Sequence, residues 1–167
     1  LNDYYDPSLK RWRIKGLQGY KNFKFHRMDV SEIGSLAFRD AMSGLPVVVE
    51  FRNARWLTPE TFAFLEENEL GFCCVDEPRL KGLIPPIAEA TSRIAYVRFH
   101  GRNAKKWWRY DEPWERYDYT YSREELEEWV PKIKDLEAKA EKTFLFANNH
   151  WRAQAVDTAR QLRLLLL

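Results

Sequence analysis

Four short apolar runs, each turning polar where it stops, constrain this chain more than any other feature. They are PVVVEF (46–51), GFCCVDEP (71–78), IAYVRFH (94–100) and TFLFAN (143–148). Runs of this length, rich in β-branched and aromatic residues, read as strands. Near-continuous apolar strands alternating with helical segments mean a parallel sheet and an α/β fold. TPETFAFLEEN (58–68) is the first clear helix, with Thr58 as N-cap and Pro59 at the first helical position. SREELEEWVPKIKDLEAKAEK (122–142) is the next, opened by the capping box Ser122-x-x-Glu125, and Pro131 is predicted to kink or split it. WRAQAVDTARQLRLLLL closes the chain as a helix. The Pro-rich stretch between Gly82 and Ser92 reads as loop with at most one helical turn. SEIGSLAFRDAMSG (31–44) reads as a helix leading into the first strand, and residues 1–30 show no clean period.

The strand ends carry the chemistry. Side chains alternate between faces along a strand. Val48, Glu50 and Arg52 therefore share a face, as do Tyr96, Arg98 and His100, and Phe144, Phe146 and Asn148. Phe72, Cys74 and Asp76 are aligned in the same way. Parallel α/β folds bind ligands beyond the C-terminal ends of their strands. Glu50, Asp76, His100 and Asn148 are thus expected to converge on one pocket. Arg52, Arg98, Arg102, Asn103, Asn149 and His150 would surround it. Glu50, Asp76 and His100 are the catalytic candidates, for hydrolysis or proton transfer. The competing structural reading makes the two acids partners of Arg52 and Arg98, since buried charges must be paired. No cofactor is expected, and a divalent metal on Glu50, Asp76 and His100 is the less favoured alternative, because no H-x-H or HExxH spacing supports it.

RNAKKWWRYDEPWERYDYTYS (102–122) is a long connection without an evident helix, holding Trp107, Trp108, Trp114, Tyr110, Tyr117, Tyr119 and Tyr121. Long loops are often lids or binding loops. Trp107, Arg109 and Tyr119 join the substrate-binding set on this ground, since rings and guanidiniums stack flat ligands and hold anions. The bland alternative is that the rings anchor the loop. At FANNHW, two asparagines and His150 stand where the closing helix begins. One asparagine would serve as a cap; two with a histidine point to an oxyanion held at the helix start together with Arg102.

Composition narrows the classes. The 167 residues are 45% hydrophobic and 31% charged, ordinary values for a globular chain, and the net charge is +2. No strong field steers the protein to nucleic acid. No apolar run approaches the roughly 20 residues that span a membrane. Cys73 and Cys74 point to opposite strand faces and are expected to stay reduced, which suits a cytoplasmic protein.

Taken in order, VEFRNARW, CVDEPRL, AYVRFHGRN, WWRY with ERYDYTYS, and FANNHW resemble the domain of unknown function 72 family, the YecE-like proteins. The resemblance runs from Leu45 to Leu164. It implies a TIM-type (β/α) barrel and no particular reaction, because the family's activity is not established. Such a barrel has eight βα units in about 250 residues. Four are visible here, matching the C-terminal half of the family barrel, within a single domain spanning 1–167 whose first 45 residues are poorly assigned. The expectation is an incomplete record of a longer chain rather than a fragment that must pair. The leading functional expectation is an enzyme acting on a small polar or anionic substrate, such as a phosphorylated sugar or nucleotide. The alternatives are a nucleotide or nucleic-acid binding module built on the 107–121 aromatics, and a non-catalytic scaffold with a structural polar core.

Overall fold

The computed structural model describes residues 7–21, 42 and 44–167. The helix expected over 31–44 lies outside them, apart from Met42 and Gly44. The chain divides into two units, Leu1–Ser43 and Gly44–Leu167. In the first, helix α1 (Pro7–Leu17) starts on a proline, whose fixed φ suits a first helical position, and carries Lys15 in its last turn.

The second unit is a parallel four-stranded sheet with helices on one face. Strands β1 (Val48–Val49), β2 (Gly71–Asp76), β3 (Ile94–Phe99) and β4 (Lys142–Ala147) lie side by side in chain order. Helix α2 (Pro59–Glu67) connects the first two, and its Thr58 cap accepts the Thr61 N–H as expected. The 82–92 segment forms no helix. β1 is shorter than its apolar run. Pro46 has no N–H to donate, and beyond Phe51 the chain turns into a 3-10 turn, Ala54–Trp56, capped by the Asn53 side chain.

Pro131 splits the predicted long helix into α3 (Arg123–Glu127) and α4 (Val130–Lys139), with the proline in the first turn of α4. The Ser122–Glu125 capping box is formed in both directions. Helix α5 (Gln154–Leu166) follows a 3-10 turn, Trp151–Ala153. Leu126, Trp129, Ile133, Leu136 and Leu162 are buried. Val156 is 48% exposed. The buried stripe of α5 runs through Thr158 and Leu162, one turn apart, and Val156 lies on the opposite side of the helix.

Strand register fixes which side chains share a face. Cys73 pairs with Tyr96 and Tyr96 with Phe144; Val75 pairs with Arg98 and Arg98 with Phe146. Asp76 pairs with Phe99, so it takes the face of Phe99 and not that of Arg98. The expected grouping of Asp76 with Glu50, His100 and Asn148 is therefore corrected. Every residue of β2 is buried, so no polar–apolar alternation in GFCCVD betrayed its parity.

Candidate functional site

Glu50, Arg52, Arg98, His100 and Asn148 come together where their strands end. The Glu50 carboxylate accepts from Arg98 Nη1, lies 2.9 Å from Arg52 Nη2, and has its Oε1 3.1 Å from His100 Nε2. His100 Nδ1 lies 3.1 Å from Asn148 Nδ2. An amide donating into Nδ1 leaves the imidazole proton on Nε2, where it donates to Glu50. Asn148 thereby fixes the ring's tautomer and orientation.

Electrostatics follows from this geometry. Burial acts to raise the Glu50 pKa, but the His100 hydrogen bond and the nearby Arg52 and Arg98 outweigh it and bring it down to about 2. Glu50 is thus an ionised acceptor throughout the neutral range. His100 is fully buried, and burial holds its pKa below the usual histidine value, so it is neutral there. Two guanidiniums face one carboxylate, leaving one positive charge in excess. Glu50 engages a single nitrogen of each arginine, and neither guanidinium has another hydrogen-bond partner among the described residues.

Glu50, Arg98 and Asn148 line an open pocket of about 410 Å³ with Val48, Cys73, Tyr96, Phe146 and Ala147, whereas Arg52 and His100 contact Glu50 from outside its lining. The Cys73 thiol lies 3.8 Å from Glu50, and burial with that carboxylate pushes its pKa far up, so it is no thiolate.

Asp76 belongs to a second cluster on the helix face. Its oxygens accept from Arg102 Nε at 2.8 Å and Nη2 at 2.7 Å, from Tyr121 Oη at 2.7 Å and from Trp129 Nε1 at 2.6 Å. Arg102 also reaches Glu128 at 3.0 Å. Tyr121 in turn accepts the Gly101 N–H. This cluster bolts β2 and β3 to helices α3 and α4. Arg102, expected to hold an anion, is already held on both sides by carboxylates.

The other expected binding residues are dispersed. Asn149 is buried and donates to the Tyr119 carbonyl and to Thr158, which ties the last strand end to α5. Asn103 donates to the Glu115 and Asp118 carbonyls and pins the long loop. Tyr119 Oη donates to Glu125. Trp107 is buried, its ring 6.4 Å from His100, so the loop packs against the imidazole. Arg109 is exposed on the loop, and His150 is exposed beside Tyr117 at 5.3 Å. Trp114 stacks on Trp151 at 3.8 Å. Most of the loop's rings are thus spent on holding the loop.

Three residues of interest escaped the sequence reading. Tyr96 and Phe146 stack 4.7 Å apart and form the apolar wall of the pocket; their alternation with Arg98 and Asn148 was the available signal. Glu77 is 3% exposed and accepts the Ile84 N–H at 2.9 Å. Burial raises its pKa to about 7, against the opposing pull of that hydrogen bond and of Arg52. It continues the alternation Cys73, Val75, Glu77, which became legible only once the β2 register was known. Among the described residues no group of three or more His, Cys, Asp or Glu is arranged to hold a metal ion. No described helix is long and apolar enough to cross a membrane.

Known proteins resemble this chain in sequence and fold. The chain is 33% identical over 135 residues to the UPF0759 protein YunF of Bacillus subtilis, covering 75% of this chain and 48% of that protein. A crystal structure of a DUF72 family protein from Thermotoga maritima superposes with a TM-score of 0.76 at 38% identity, over 87% of this chain and 54% of the other. One from Enterococcus faecalis gives 0.73 at 26% identity, over 88% and 56%. The chain thus spans about half the length of these relatives. The model of the family "Protein of unknown function DUF72" matches residues 17–167, and the chain belongs to that family.

Proposed function

We propose that the pocket at the C-terminal strand ends is the substrate site of an enzyme acting on a small, polar, anionic molecule, and that the sheet is half of a TIM-type barrel whose rim the pocket occupies. The observation that carries this is the unbalanced charge: Arg52 and Arg98 share the one ionised carboxylate of Glu50, and Glu50 and Arg98 line an open cavity. A guanidinium with free donors grips phosphate or carboxylate through parallel hydrogen bonds. Such groups also stabilise negative charge developing in a transition state, the largest single contribution in much of acyl and phosphoryl chemistry. Glu50, held ionised and oriented by His100, is the acceptor for a substrate hydroxyl or water. Proton transfer or hydrolysis is the reaction class that fits.

The nucleic-acid reading is weaker. Its stacking rings in the 107–121 loop are mostly committed: Trp107 and Tyr121 are buried, and only Trp108, 61% exposed, offers a free face. The test is thermal stability in low salt with phosphate, sulfate or glucose 6-phosphate, on wild type and on Arg98→Met. A ligand at 100 times its dissociation constant stabilises by about 2.7 kcal/mol. Stabilisation that disappears in Arg98→Met supports the proposal. Stabilisation of equal size in both proteins removes the anion from this pocket.

A further inference from the structure

We infer that the aromatic loop over 102–121 is a cover for His100, with Trp107 and Tyr117 as positioning residues that keep water off the imidazole and hold it in line between Asn148 and Glu50. This rests on Glu50 and His100 working together as proposed above, and it gives the loop's rings a task that needs no ligand. His100 stands one residue beyond β3, at the end of the sheet, yet it is 0% exposed. Its two nitrogens face Glu50 and Asn148, each at 3.1 Å. Its ring is met by Trp107 at 6.4 Å, edge to face, and by Tyr117 at 6.2 Å. Those two rings lie 6.3 Å apart, and Trp107 is itself buried. The loop that carries them is tied down. Asn103 donates to two of its carbonyls, Trp114 stacks on Trp151, and the Arg116 guanidinium lies over the rings of Trp107 and Tyr110.

A dry imidazole stays neutral, because burial penalises its charged form. The groups facing His100 pull in both directions. Glu50 favours the imidazolium, while Arg52 and Arg98 oppose it. Asn148 presents an amide N–H to Nδ1, and an imidazolium has no lone pair there to accept it. From β2, the Asp76 carbonyl accepts the His100 main-chain N–H at 2.8 Å, and the Asp76 carboxylate is held by Arg102. Arg116 and His150 stand against Trp107 and Tyr117, the two covering rings. Burial is the largest of these influences and keeps the imidazole pKa below the ordinary 6.5. Hydrating the ring would raise its affinity for a proton. The added proton on Nδ1 would then face the Asn148 amide hydrogens, and the Asn148–His100–Glu50 line would break. The loop thus keeps the Nε2–H on Glu50 across the neutral range.

Nuclear magnetic resonance titration of the histidine ring nitrogens in the whole chain tests this without any ligand, so the anion reading stands or falls separately. The proteins are wild type, Trp107→Ala, Trp107→Phe and Trp108→Leu, each checked by circular dichroism for an unchanged fold. In wild type, His100 is expected neutral at pH 7 with its proton on Nε2. Trp107→Ala should move its titration up towards 6.5, and Trp107→Phe should bring it most of the way back. Trp108→Leu changes a ring of the same loop that is 61% exposed and should leave the titration where it was. If Trp107→Ala does not fold, Tyr117→Ala against Tyr117→Phe makes the same comparison. An unmoved His100 titration in the folded alanine variant overturns the inference. So does an equal shift in Trp108→Leu, which would mark a general loosening of the loop, and so does a wild-type His100 that is charged at pH 7.

Discussion

Replacing Asp76 by asparagine should unfold much of the molecule's margin of stability while leaving the pocket's ligand chemistry alone. The side chain is fully buried and accepts two hydrogen bonds from Arg102, one from Tyr121 and one from Trp129. Asparagine keeps the shape, removes the charge and turns an N–H₂ group towards donors. Arg102 then has only Glu128 and Glu125 at the helix surface to answer it. Breaking a buried pair by removing one partner costs about 3–5 kcal/mol. In a chain of this size that lowers Tm by roughly 6–20 °C. Urea unfolding followed by far-ultraviolet circular dichroism gives the loss directly. The double variant Asp76→Leu with Arg102→Met removes both charges, but Tyr121 and Trp129 then lack their acceptor, at about 1–3 kcal/mol for each buried group left unpaired. A loss below about 1 kcal/mol for Asp76→Asn would refute the structural role assigned to this cluster. So would retention of full stability with abolished anion binding, which would return Asp76 to the functional site.

Other outcomes are equally definite. Leu136→Ala should cost about 2–5 kcal/mol as a fully buried core deletion, and Val156→Ala less than about 0.5 kcal/mol as a surface change; urea midpoints measure both. Gly101 has φ +90°, and a Cβ there would stand 2.7 Å from that of Tyr119, so Gly101→Ala should destabilise by at least about 1 kcal/mol. Glu77 has a folded pKa of about 7 against an ordinary 4.5. The folded state binds its proton more tightly than the unfolded state, so this group lowers stability as pH rises from 4.5 to 7. Glu77→Gln should flatten that part of the stability profile and raise stability at pH 8; an unchanged profile would show that the carboxyl titrates normally.

Much of this was legible in the residues. Alternation in VVVEFRN, IAYVRFHG and TFLFANN places Glu50, Arg98, His100 and Asn148 on one face, because those strands change polarity along their length. GFCCVDE offered no such contrast, since all of β2 is buried on both faces, and only pairing with β3 decided that Asp76 faces the helices. Arg102 looked free in sequence because its partners, Asp76 and Glu128, are each 26 positions away in opposite directions along the chain. The aromatic loop looked like a binding surface because ring count does not distinguish rings that stack on one another, as Trp114 and Trp151 do, from rings that wait for a ligand. Phe144 and Phe146 stand on the sheet face that carries no helix, and there they are 40% and 46% exposed.

The most direct measurement is a diffraction experiment on crystals grown with glucose 6-phosphate, locating the anion. The account predicts the phosphate against the guanidiniums of Arg98 and Arg52, with Glu50 and Asn148 alongside. Phosphate found instead on Arg102, Asn149 and His150 at the start of the closing helix, or absent from the pocket in crystals saturated with the ligand, would contradict it.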